Sequence, residues 1–75
     1  MIKIRLRLKE ILTEKEITQT DFAKQSGIRP QAISVYLRNL AERWDVSILE
    51  RMVQTLGLTD INELFELYDD ESQQQ

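Results

Sequence analysis

The amino-acid sequence predicts an all-α domain of five helices. Apolar residues recur at spacings of three and four along most of the chain, which is typical of helices with one buried face. Only two glycines and one proline occur in 75 residues, and they lie at the boundaries of these segments. A chain of this length forms one small core. We predict a folded domain over residues 1–68, followed by a polar, disordered tail over 69–75.

The first segment carries two competing patterns. Ile2, Ile4 and Leu6 alternate with basic residues, and this period of two indicates a strand. A helical pattern extends further along the chain and uses good helix formers; its apolar positions are Ile4, Leu8, Ile11 and Leu12. We therefore predict a helix from about residue 3 to residue 15, whose first residues can be extended. On such a helix Ile2 and Leu6 lie off the side that faces the core.

The second and third predicted helices have clear boundary residues. Thr18 is suited to cap the second helix, with the negative charge of Asp21 in its first turn. Gly27 ends this helix because glycine adopts the positive φ of a helix C-terminus. Pro30 fits the first turn of the third helix, where its missing N–H is not needed. The third helix is predicted to end near Asn39, a residue that tolerates the left-handed conformation.

The last two predicted helices follow after residue 44. Asp45 is the predicted N-cap of the fourth helix, and Gly57 ends it. Asp60 and Glu63 have the spacing of a capping box, which predicts a short fifth helix; its apolar residues are Ile61, Leu64 and Phe65. Trp44 is predicted to pack beneath the fourth helix.

The composition excludes several kinds of chemistry. Without cysteine the chain has no disulfide and no thiolate metal site, and without histidine it lacks the commonest general base. Clustered carboxylates in an apolar setting are also missing, so we predict neither enzymatic activity nor a cofactor. No apolar run approaches the ~20 residues of a membrane span. A soluble, cytoplasmic protein is expected.

The charges are unevenly distributed. Residues 1–44 contain nine Lys and Arg against five Asp and Glu, a net charge of +4. Residues 45–75 contain one against eight, a net charge of −7, and the sum is the overall −3. Because salt screens charges beyond about 10 Å, a phosphate backbone senses only the surface it faces. The basic part can therefore face a nucleic acid while the acidic part faces away.

Residues 18–37 have the spacing of a helix-turn-helix. Two short predicted helices flank a turn that contains Gly27. Ala23 is small enough to let the two helix backbones approach where they cross. Phe22 and Ala23 are predicted to face the apolar residues across the corner, which are Ile28, Ile33 and Tyr36. This geometry is used to place the second helix in the major groove of DNA.

These residues resemble the Cro/lambda-repressor-like (XRE-type) family of helix-turn-helix transcriptional regulators. The family's motif is matched, at the family's spacing, by Thr18, Gln19, Ala23, Gly27, Ile28, Ile33 and Ser34. Its downstream helix is matched by Leu49, Met52, Leu56 and Gly57. The resemblance covers residues 4–67. The chain departs from the family at Glu16 and Asn39, where the family usually has glycine.

The resemblance implies roles for individual residues in binding double-stranded DNA. The implied base-reading positions are Gln31, Ser34, Val35 and Arg29. A carboxamide such as that of Gln31 can form two hydrogen bonds with the edge of an adenine. The implied phosphate contacts are Thr18, Gln19, Arg38 and Arg43. A sequence-specific repressor that occupies an operator is the expected function.

Two other functions are compatible with the sequence. The chain can be an antitoxin or another protein–protein module in which residues 60–75 hold a basic partner. It can also retain the helix-turn-helix only to dimerise. A DNA-binding role itself predicts a homodimer, because useful specificity normally needs two half-sites about 34 Å apart. The candidate interface is either Ile2 with Leu6, or the region of Phe65, Leu67 and Tyr68.

Overall fold

A computed structural model describes residues 1–70, which contain four α-helices and a two-stranded antiparallel sheet. The helices are α1 (Leu8–Glu14), α2 (Gln19–Ser26), α3 (Pro30–Leu37) and α4 (Val46–Leu56). Strand β1 (Ile2–Leu6) precedes them, and a single 3₁₀ turn (Ile61–Glu63) and strand β2 (Phe65–Asp69) follow. The prediction of an all-α, five-helix domain is therefore wrong in part, since both ends of the domain are strands.

The period of two determines the structure of the first segment. β1 pairs with β2 in antiparallel register, with Ile4 opposite Leu67 and Leu6 opposite Phe65. The observed helix α1 is shorter than the predicted helix over 3–15, because it begins at Leu8. Helical spacing alone favoured a longer helix because the strand's partner lies some 60 residues away. The local period of two indicated a strand, but it could not show which distant segment would pair with it.

The fifth predicted helix ends after one turn. Its capping box is confirmed, since Asp60 accepts the Asn62 N–H at 2.9 Å and Glu63 accepts the Asp60 N–H at 2.9 Å. The carbonyl of Leu64 then accepts the Arg7 N–H at 2.7 Å, which draws the chain into the sheet.

The end of β2 includes part of the predicted tail. Asp69 is the last residue of β2, and the Asp70 N–H donates to the Met1 carbonyl at 3.0 Å. The rest of the predicted tail, residues 71–75, lies outside the described residues.

The helix boundaries predicted for α2, α3 and α4 are confirmed. Thr18 Oγ1 accepts the Asp21 N–H at 3.1 Å, and Gly27 has a φ of +75°. Pro30 is the first residue of α3. Asp45 caps α4 by accepting the Ser47 N–H at 2.9 Å. Within residues 1–70, no helix combines the length and the apolar character needed to cross a membrane.

The core lies between the helices and the inner end of the sheet. The completely buried apolar side chains are Phe22, Leu6, Leu8, Ile33, Met52 and Leu64. The expectation that Leu6 lies off the core is wrong, because the strand turns this side chain inward. Trp44 packs against the core from just before α4 and contacts Phe65, with ring centroids 5.1 Å apart and ring planes inclined at 51°.

Candidate nucleic-acid interface

The corner between α2 and α3 is fixed by short-range and long-range contacts. Gly27 takes the left-handed conformation that turns the chain, and Ser26 Oγ accepts the Ile28 N–H at 3.1 Å. From α4, Arg51 Nη1 donates to the carbonyl of Gly27 at 3.3 Å. The sequence analysis gave Arg51 no role, because this contact spans 24 residues. The turn is thus held by the helix behind it.

Helix α3 has one buried and one accessible side. Ile33 and Tyr36 are buried in the core. The accessible side carries residues at i, i+3, i+4 and i+7, a spacing that places them along one stripe of a helix; they are Gln31, Ser34, Val35 and Arg38. Ser34 is half-buried and the other three are exposed. We call these four residues the α3 stripe.

The α3 stripe combines the types of side chain that read bases. A carboxamide and a hydroxyl can exchange hydrogen bonds with base edges, and a valine can contact a thymine methyl group. Arg29, also predicted to read bases, is the N-cap of α3 and is exposed. All four predicted base-reading residues therefore lie at the start or on the accessible side of one helix.

Three of the four predicted phosphate-binding residues lie along or beside one groove. Gln19 begins α2 and Arg38 follows α3, and both line a shallow groove of about 840 Å³. Thr18, the N-cap of α2, is the neighbour of Gln19. Lys9 of α1 lines the same groove and adds a cation that the sequence analysis did not single out. This arrangement places donors at the edge of the α3 stripe.

The structure does not bring Arg43 to this groove. It is exposed in the connection between α3 and α4 and is not among the residues that line the groove. The end of this connection is held by the Asp45 N–H, which donates to the Tyr36 hydroxyl at 2.8 Å.

A second groove flanks the start of α3. It has a volume of about 260 Å³ and brings Arg29 next to Ser47 and Arg51 of α4. Ser47 helps to cap α4: a hydrogen bond from its side chain, and then one from its backbone N–H, lower the pKa of Asp45. Sequence reasoning missed Ser47 and Arg51 because the position of α4 beside α3 is a tertiary property.

Basic groups near the N-terminus form ion pairs with acidic residues near the C-terminus across the sheet. Lys3 pairs with Asp70 at 3.5 Å, and the amino group of Met1 with Asp69 at 3.0 Å. Arg5 pairs with Glu66 and Glu10, and the hydrogen bond to Glu66 is the main cause that raises the pKa of Arg5. Since these pairs join opposite ends of the chain, the +4 and −7 parts do not form two separate faces.

The helical part retains only a small positive balance. Leaving out the three basic residues before α1, residues 8–44 hold six Lys and Arg against five Asp and Glu, a net +1. DNA binding by this surface must therefore depend on where its cations lie, not on its net charge.

An exposed helix held by a tight corner against a second helix defines a helix-turn-helix DNA-binding domain. Residues 7–70 match the sequence model of the Cro/C1-type HTH DNA-binding domain. The chain therefore belongs to the Cro/C1-type, or XRE, family, as the Thr18–Ser34 motif indicated. No curated protein and no solved structure shows significant similarity to it.

Proposed function

We propose that this chain is a sequence-specific transcriptional repressor that occupies an operator in double-stranded DNA. The observation that carries the proposal is the α3 stripe, which presents a carboxamide, a hydroxyl, a methyl surface and a guanidinium on the side opposite the core. An α-helix fits the major groove, where every base pair presents a distinct pattern of donors and acceptors. In this pose Gln31 and Ser34 face base edges, and Val35 faces a thymine methyl group.

The grooves beside the α3 stripe supply the backbone contacts. On one side Gln19 lines a groove together with Arg38, the last residue of the stripe, and on the other side Arg29 lines a groove with Ser47. Such contacts fix the position of a recognition helix without carrying sequence information. Because one helix reads only a few base pairs, the repressor acts as a homodimer on two half-sites about 34 Å apart.

The arrangement of the acidic residues argues against the antitoxin-type alternative. That alternative needs carboxylates near the C-terminus that are available to a basic partner. Glu66, Asp69 and Asp70 are instead engaged in ion pairs with residues of the same chain. This internal pairing reduces the acidic surface that residues 60–70 offer to a basic partner.

Selection from a random DNA pool, followed by one substitution, tests the proposal. We expect an enriched palindrome. Gln31→Ala should weaken binding to it by about 1–3 kcal/mol, with little effect on random DNA, because two hydrogen bonds to one base edge are lost. Gln25→Ala is a matched control, since Gln25 is an exposed glutamine on α2 that lines neither groove beside the α3 stripe. Binding is measured by fluorescence anisotropy after circular dichroism has verified folding.

Two outcomes would contradict the proposal. If no sequence is enriched, the chain is not a sequence-specific regulator. If Gln31→Ala weakens binding to the palindrome and to random DNA equally, Gln31 only positions the helix, and the orientation of α3 in the groove is wrong.

A further inference from the structure

One face of the two-stranded sheet is apolar except for Asp69 at its outer end, and it extends outward beyond the core. Residues directly opposite each other in an antiparallel pair share a face. Leu6 and Phe65 therefore share a face with the next pair, Ile4 and Leu67, and with Ile2. Exposure along β1 rises from 1% at Leu6 to 57% at Ile4 and 62% at Ile2, and Leu67 is 68% exposed. The outer part of this face has no partner among the described residues.

The same surface continues past Phe65 onto α4. Phe65 lines a groove of about 440 Å³ together with Val46 and Ile61, which are 66% and 63% exposed. The two sets of interface residues that the sequence offered as alternatives thus belong largely to one surface. Leu6 is buried beneath it, and Tyr68 lies on the opposite face of the sheet, with Lys3. We call this surface the sheet face; it consists of Ile2, Ile4, Val46, Ile61, Phe65 and Leu67.

We infer that the sheet face binds a second copy of this chain, so that two sheets stack across a twofold axis in the repressor dimer. The inference rests on the proposed function, which requires a homodimer, and adds the surface by which it forms. Three observations support a second copy as the occupant: the apolar area of the sheet face, the charges on it, and the marginal stability of a two-stranded sheet.

The area is of the size that a dimer requires. Burying an aliphatic side chain removes roughly 60–120 Å² from water, so the five exposed aliphatic residues of the sheet face offer on the order of 300 Å². A standard interface buries about 800 Å² per partner, of which somewhat more than half is apolar. The sheet face supplies most of that apolar share, and its polar rim can supply the rest.

The charges at the rim allow two identical surfaces to approach. The charged residue on this face of the sheet is Asp69, which lies opposite Ile2 and pairs with the Met1 amino group at 3.0 Å, whereas Lys3 and Arg5 lie on the other face. This ion pair reduces the like-charge repulsion that two unpaired copies of Asp69 would create across a twofold axis. A strongly charged macromolecule would find little electrostatic attraction at this surface.

The sheet itself is too small to be stable alone at its outer end. A two-stranded sheet is at best marginally stable unless an apolar face is packed against something. The inner end packs on the core through Leu6, while Ile2, Ile4 and Leu67 extend beyond it. Stacking on a second sheet at the usual spacing of about 10 Å gives these side chains a partner.

Sedimentation velocity of the full chain over a range of concentrations tests the inference. We expect a dimer whose dissociation constant rises at least about tenfold in Ile4→Thr and in Leu67→Thr. Threonine retains strand propensity, and both positions are exposed in the monomer, so the fold should survive. Tyr68→Ser, on the opposite face of β2, is the matched control and should leave the dissociation constant unchanged.

Cross-linking provides a second measurement that does not depend on weakening the dimer. Because the chain contains no cysteine, a single introduced thiol can link only to the same thiol of another copy. A short bis-maleimide should link Ile4→Cys into dimers and leave Tyr68→Cys monomeric. A chain that stays monomeric at every concentration overturns the inference. So does a dimer that Tyr68→Ser disrupts and the two threonine variants do not.

Failure of this inference can be distinguished from failure of the proposed function. If the sheet face is not the interface, yet Gln31→Ala still reduces preference for the selected palindrome, only the inference is overturned. If the Ile4→Thr and Leu67→Thr variants lose the dimer but wild-type protein shows no sequence preference, the interface stands and the proposed function is wrong.

Discussion

The side-chain amide of Asn39 pairs with both backbone polar groups of Leu6. Its Oδ1 accepts the Leu6 N–H at 2.7 Å, and its Nδ2 donates to the Leu6 carbonyl at 3.1 Å. Asn39 has a φ of +56°, so it also turns the chain after α3. The amide occupies the position of a neighbouring strand at the inner end of β1. One residue thereby joins the end of α3 to the sheet.

Asn39→Gly should destabilise the protein although glycine suits the positive φ. Two partly buried hydrogen bonds are lost, each with a net contribution of about 0.5–1.5 kcal/mol. After subtraction of the strain that glycine relieves at this φ, we expect the free energy of unfolding to fall by about 0.5–2 kcal/mol in urea denaturation. An unchanged stability would show that water replaces the amide without loss.

Glu16→Gly is the matched control, and we expect it to raise the free energy of unfolding instead of lowering it. Glu16 also has a φ of +56°, but its side chain is exposed and forms no hydrogen bond among the described residues. The left-handed conformation costs a residue with a Cβ about 1–2 kcal/mol, and glycine removes this cost. Glycine also makes the unfolded chain more flexible, which cancels part of the gain in stability. We expect a gain of about 0.5–1 kcal/mol.

The N-cap of α4 should make stability depend on acidic pH. The Ser47 side chain, and then its backbone N–H, lower the pKa of Asp45 below its ordinary value of 3.8. Because the folded-state pKa is the lower one, the contribution of Asp45 is complete above pH 3.8 and is lost as the pH falls through the folded-state pKa.

Asp45→Asn separates this titration from the other carboxylates. Asparagine can still cap the helix but does not titrate. Thermal unfolding between about pH 4 and pH 2 should therefore show a smaller loss of stability in the variant than in the wild type. If both lose stability equally, Asp45 contributes nothing to acid unfolding. Titration of the Asp45 carboxyl by NMR should also show a higher pKa in Ser47→Ala.

The salt dependence of DNA binding should distinguish two arginines. Arg38 and Arg5 line the same groove, but Arg38 is exposed whereas Arg5 is held by Glu66 and Glu10. Each phosphate contact contributes about one unit to the slope of log K against log salt. Arg38→Gln should reduce that slope by about one unit, and Arg5→Gln should leave it unchanged. The reverse result would assign DNA contact to the sheet instead of the helices.

The helices and the helix-turn-helix could be predicted from the sequence because their signals are local. Thr18, Gly27 and Asp45 act through their own backbone or through residues within one turn. The spacing of Gln31, Ser34 and Val35 against buried Ile33 is likewise a property of one helix. Such features depend on residues that are close in sequence, so they can be predicted from one amino-acid sequence.

The sheet and its consequences were decided only by tertiary structure. Leu6 lies between two arginines in a segment that we predicted to be helical. It is a buried strand residue because β2 pairs with β1 and the Asn39 amide forms hydrogen bonds with the Leu6 backbone. The ion pairs between Lys3 or Arg5 and the C-terminal acids depend on the same pairing. Strands are stabilised by partners that can lie anywhere in the chain, whereas a helix satisfies its own backbone. For that reason the sequence by itself determined the helix-turn-helix, and the fold decided which charges are paired and which apolar face remains uncovered.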